Sequence, residues 1–100
     1  MKIVSWNING IRAVHKKGLF LPFIEKYKPD ILCLQETKVV DELFPGEDII
    51  RMGYTHIHMS GMKSYNGVAI LSKRPMEVTR GLPGDDADEH ARYIEAVIQD

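Results

Sequence analysis

One hundred residues, 44% hydrophobic and 27% charged with a formal net charge of −1, match the composition of an ordinary globular domain. Such a chain buries roughly 60–65% of its unfolded surface, enough for one modest core, so one domain or part of one is expected. No apolar run reaches the ~18–20 residues of a membrane span. Asn7 also comes too soon for a signal-peptide apolar region, and lone Cys33, inside an apolar run, reads as a small core hydrophobe in a reducing, cytoplasmic setting.

The near-zero charge hides an asymmetry. Residues 1–40 hold seven Lys/Arg against three Asp/Glu, and residues 41–100 hold six against eleven. The positive excess gathers at Arg12, Lys16, Lys17 and Lys38, which suits a polyanion over one edge of the fold. Solvated surface lysines are the alternative reading.

"KIVSWNI" alternates Ile3, Ser5 and Asn7 against Val4, Trp6 and Ile8, predicting a strand. Gly10 and Gly18 bracket a basic loop. Leu19, Phe23 and Tyr27 with Phe20 and Ile24 share one helical face, with Pro22 in the first turn and Pro29 as the stop. "DILCLQ" is apolar at successive positions, as an interior strand covered on both faces would be. "FPGEDIIRMG" predicts a short helix, with Glu47 and Asp48 in its first turn and Gly53 after its end. "YTHIHMS" predicts a strand with His56, His58 and Ser60 on a polar face. Asn66-Gly67 marks a turn before the buried strand "GVAILSK". "RGLPGDDADEHA" reads as an acidic loop and "RYIEAVIQ" as a further strand. The chain stops at Asp100, in or just after that strand, as a piece of a larger sheet structure would.

Strand, helix, strand over the first 36 residues predicts a right-handed crossover with parallel strands ending at one sheet edge. α/β proteins place ligand sites there. Asn7, Asn9 and Glu36 should therefore meet at one rim, with Lys38 and Arg12 beside them. Two readings of Glu36 stand at this point. It pairs with Lys38 while Asn7 caps a turn, or it is an oxygen ligand of Mg²⁺ beside a phosphate. His56 and His58 suit Zn²⁺ in principle, but a third ligand is not evident. His15 and His90 carry no readable signal.

"SWNINGIRA", "PDILCLQETK", "FP…GY", "YNGVAILSK" and "RGLPGDD" resemble, in order and spacing, the N-terminal motifs of exonuclease III-type apurinic/apyrimidinic endonucleases. The bacterial branch is the nearer likeness. The resemblance implies a four-layer α/β sandwich, two packed mixed sheets flanked by helices, of which residues 1–100 form the N-terminal part of a single domain. It implies Mg²⁺-dependent (Mn²⁺ also serving) cleavage of the DNA backbone 5′ to abasic sites, with 3′→5′ exonuclease and 3′-phosphatase activities. The implied partner of this DNA repair nuclease is double-stranded DNA with abasic sites or 3′ ends, met by a monomer with no membrane contact. By the same resemblance Glu36 is the metal-binding glutamate, and Asn7 organises the metal and phosphate region. Asn9, Arg12, Ala13, Lys16, Lys17, Lys38, Tyr65 and Arg92 fall on the DNA-facing side. The family's catalytic tyrosine, its Gly-Asp-x-Asn segment and its C-terminal Asp-His pair have no match in these residues, so the 100 residues alone are expected to be inactive. Two rivals remain: a phosphoesterase of the same superfamily acting on lipid or inositol phosphates, and a non-catalytic nucleic-acid-binding module.

Overall fold

A computed structural model describes residues 1–61, 65–80 and 94–98. Arg92, His90 and the acidic loop lie outside the described residues. In chain order the elements are β1 (Ile3–Asn7), α1 (Ile11–Lys16), α2 (Phe20–Tyr27), β2 (Ile31–Gln35), a 3-10 turn (Asp41–Leu43), α3 (Gly46–Arg51), β3 (His56–Ser60), β4 (Val68–Ser72), β5 (Met76–Arg80) and β6 (Ile94–Ile98). The result is α/β: a mixed four-stranded sheet in the order β1-β2-β4-β3, with helices, and a two-stranded β5-β6 ladder.

The expected crossover is present. β1 and β2 are parallel, with Ile3 opposite Ile31 and Asn7 opposite Gln35, so both strands end at the same rim. β4 runs antiparallel to β2 and to β3, which brings Val68 beside Gln35 at that rim. The register sorts side chains by face, since successive residues point to opposite sides. Val4, Leu32, Leu71 and Ile57 form one row, and Trp6, Leu34, Ala69 and Met59 the next. Leu32, Leu34, Ala69 and Leu71 belong to the core with Phe20 and Ile24 of α2 and Ile49 of α3, and Val4, Trp6, Ile57 and Met59 pack against it half-buried. Leu32, Leu34 and Leu71 are fully buried, each contributing about 2 kcal/mol in transfer free energy.

Of the predicted face of α2, Phe20 and Ile24 are buried, while Leu19, which precedes the helix, and Tyr27 at its end are exposed. Phe23 stacks on Trp6 at 3.8 Å between ring centroids, and Phe20 lies 5.9 Å from the same indole. The helix ends at Lys28, left-handed at φ 47°, whose amide donates to the Ile24 carbonyl. Tyr54, fully buried, donates its hydroxyl hydrogen to the Pro29 carbonyl at 2.5 Å. A buried phenol needs such a partner.

Three expectations are corrected. Residues 11–16 form a helix, where the sequence suggested a basic loop. This helix has no acidic first turn and no side-chain cap, so it shows no start signal. Its first turn is fixed from outside, the amides of Gly10 and Ile11 donating to the carbonyls of Glu36 (2.8 Å) and Thr37 (3.0 Å). β5 was not expected at all: Met76 and Val78 are too few apolar positions to announce a strand, and pairing with β6 makes it. Cys33 is half-buried and not a core residue. It lies on the face away from the helices, with Gln35 beside it on the same strand, and burial pushes its thiol pKa up.

Candidate active site at the carboxyl ends of β1 and β2

Strand alternation alone would send Glu36 to the Leu34 side, toward the core. The backbone prevents this. Glu36 is left-handed at φ 53° and Lys38 at φ 55°, so the chain twists as it leaves β2. The Glu36 carboxylate thereby meets Asn7, which belongs to the opposite face, and the Asn7 side-chain amide donates to Glu36 Oε2. The Asn9 backbone amide donates to Asn7 Oδ1 at 3.2 Å. Lys38 Nζ donates to Asn9 Oδ1 at 2.5 Å and lies 3.7 Å from Glu36 Oε1.

Asn7, Asn9, Glu36 and Lys38 thus form one connected group at the rim. The Glu36–Lys38 ion pair and the turn capped by the Asn7 side chain are both present, as the first reading of Glu36 expects. Glu36 and Lys38 are half-exposed, while Asn7 and Asn9 are exposed. The group therefore faces solvent, where a large substrate can reach it.

Arg12, Ala13, Lys16 and Lys17 are exposed along α1 and its C-terminal residue. The bonds from Gly10 and Ile11 start that helix against Glu36 and Thr37, so Arg12 and Ala13 stand in its first turn and the lysines one turn on. Tyr65 is 69% exposed, immediately before the Asn66-Gly67 turn. The Asn66 and Gly67 carbonyls accept from the amides of Lys38 (2.9 Å) and Thr37 (3.2 Å), placing that turn against the same strand end.

Sequence reasoning missed Thr37, Gly67 and His15. Thr37 is buried to 1% exposure behind the rim. Asn66-Gly67 was legible as a turn, but its docking on residues 36–38 follows from β2–β4 pairing, a long-range fact. His15 bonds Asp48 at 2.7 Å, joining α1 to α3, and Arg51 adds a second contact to Asp48 at 3.1 Å. The His15 bond, more than Arg51, holds the Asp48 carboxyl below its usual pKa. Beside this pair a cavity of about 630 Å³ opens, lined also by Leu21, Pro22 and Met52.

Other candidates recede. His56 and His58 lie on β3, the far edge strand from β1. Among the described residues no three His, Cys, Asp or Glu side chains converge as metal ligands would. No helix among them is long and apolar enough to cross a membrane.

A parallel strand pair with a carboxylate, amides and a lysine at its carboxyl edge places polar side chains where sheets of the α/β class bind their ligands. The chain belongs to the endonuclease/exonuclease/phosphatase family, whose pattern it matches over residues 4–99. Its likeness within that family is to the N-terminal portion of the exonuclease III type. It is 44% identical over 100 residues to exodeoxyribonuclease III of Haemophilus influenzae, covering 99% of this chain and 36% of that protein. The solved 3′ phosphatase NExo from Neisseria, bound to product DNA hairpin, superposes with a TM-score of 0.87 at 37% identity. That match covers 98% of this chain and 37% of the other. An AP endonuclease from Archaeoglobus fulgidus superposes at 0.81 with 42% identity, again over 98% and 37%. The chain therefore spans little more than a third of the length of these relatives.

Proposed function

We propose that residues 1–100 are the N-terminal part of a single nuclease domain. The complete enzyme is a DNA repair nuclease that cleaves the phosphodiester 5′ to abasic sites and also removes 3′ nucleotides and 3′ phosphates. The observation that carries this reading is the Asn7–Glu36 contact at the rim, in a chain 44% identical to an exodeoxyribonuclease III. The product DNA in the Neisseria structure favours nucleic acid over a lipid or inositol phosphate.

The rim suits a hard divalent cation. Its donors are oxygens, from the Glu36 carboxylate and the Asn7 amide, with no thiol or imidazole among the four residues. Mg²⁺ takes such ligands, often with only one or two carboxylates, and Mn²⁺ accepts the same set. Bound there, the ion would offset negative charge developing on the phosphoryl oxygens.

The chain's own residues do the rest of this half of the work. Glu36 supplies the anionic oxygens, and Asn7 fixes their orientation through its amide. Asn9 holds Asn7 through its backbone and Lys38 through its side chain. Lys38, Arg12, Lys16 and Lys17 meet phosphates, which positions DNA without reading sequence. Tyr65 offers an exposed ring to the substrate, exposed Ala13 leaves room beside Arg12 for the DNA backbone, and Arg92 joins the DNA contacts on the family resemblance. A monomer working in the cytoplasm completes the reading. The test is turnover by the complete enzyme of an abasic-site duplex against inositol phosphates, with Mg²⁺ and with chelator. Faster turnover of inositol phosphates would sink it.

A further inference from the structure

Five described non-glycine residues have positive φ, and four of them stand at this rim: Asn9 (46°), Glu36 (53°), Lys38 (55°) and Asn66 (49°). Left-handed backbone costs an L-residue about 1–2 kcal/mol. It persists only where the surroundings over-determine it. Here the determinants come from both sides. Gly10 and Ile11 donate to the Glu36 and Thr37 carbonyls, while the Asn66 and Gly67 carbonyls receive the Lys38 and Thr37 amides.

The second brace depends on a close approach. Gly67 is buried and left-handed at φ 93°. A Cβ there would stand well inside van der Waals contact of Thr37 Oγ1 and 3.2 Å from the Lys38 backbone nitrogen. Thr37 is itself buried, so it has little room to withdraw. The contact fixes the one residue between Glu36 and Lys38.

We infer that Gly67 and Thr37 are positioning residues whose contact locks the left-handed strand end and so aims the Glu36 carboxylate. The lock also ties the turn that carries Tyr65 to the segment that carries the carboxylate. The inference rests on the proposal that Glu36 holds the metal, and its test separates the two.

Mn²⁺ binding to the complete enzyme, followed by electron paramagnetic resonance, is the readout. Gly67→Ala weakens Mn²⁺ binding about tenfold or more, the range typical of lost support behind a ligand. Gly53→Ala is the control: its φ is 103°, yet a Cβ there meets nothing within 4 Å. It imposes comparable backbone strain away from the rim and leaves Mn²⁺ affinity within about twofold. Adding Thr37→Ala to Gly67→Ala removes the Oγ1 obstacle and recovers about threefold or more of the affinity. If Glu36→Gln abolishes Mn²⁺ binding while Gly67→Ala binds as wild type, the lock is wrong and the metal reading survives. If Glu36→Gln leaves binding unchanged, both are wrong.

Discussion

The Asn7 side-chain amide donates to the Glu36 carboxylate across 29 residues of sequence, joining the carboxyl ends of two parallel strands. Alternation assigns these side chains to opposite faces of the sheet. Only the left-handed turn at Glu36 lets them meet, so the geometry of the candidate site is a property of the backbone as much as of the side chains.

On the proposed function, the cations on α1 contribute to DNA affinity through counterion release. Arg12→Ala and Lys16→Ala should each reduce the slope of log binding constant against log salt by about 0.9. Fluorescence anisotropy across a salt series measures it. An unchanged slope in both variants would remove α1 from the DNA surface.

Tyr54→Phe tests the buried anchor just before the amino end of β2, opposite the rim. The loss leaves the Pro29 carbonyl without its hydroxyl donor and lowers stability by about 1–2 kcal/mol, read from urea midpoints.

Lys28→Gly should act in the opposite direction. Lys28 is exposed and left-handed after the last turn of α2, where glycine carries no Cβ penalty. Stability should rise by about 0.5–1 kcal/mol, again as a shift in urea midpoint.

The His15–Asp48 bond predicts a pH dependence with a definite sign. The Asp48 carboxyl is held below its ordinary pKa in the folded chain, first by His15. Its contribution is therefore full above the ordinary carboxylate range and is lost as pH falls through the lowered folded value. The urea-midpoint gap between wild type and Asp48→Asn should be open at about pH 6 and close toward about pH 2. A gap that widened on acidification would contradict the assignment.

The sequence carried the parallel pair, α2, α3 and the meeting of Asn7, Asn9, Glu36 and Lys38, because apolar spacing and the crossover rule are local or nearly so. It did not carry α1, whose first turn is set by the carbonyls of Glu36 and Thr37. Nor did it carry β5, which has two apolar positions and gains its ladder from a strand some twenty residues further on. Thr37 and Gly67 looked like ordinary loop residues. Their close approach arises only when β4 pairs with β2.

The account stands most directly on Glu36→Gln in the complete enzyme, assayed on an abasic-site duplex with Mg²⁺ and, separately, for DNA binding in chelator. The prediction is a fall in cleavage rate of about three powers of ten, several kcal/mol at ~1.4 kcal/mol per decade, with DNA affinity unchanged. Cleavage within about threefold of wild type, still fully chelator-sensitive, would place the metal elsewhere and contradict the central claim.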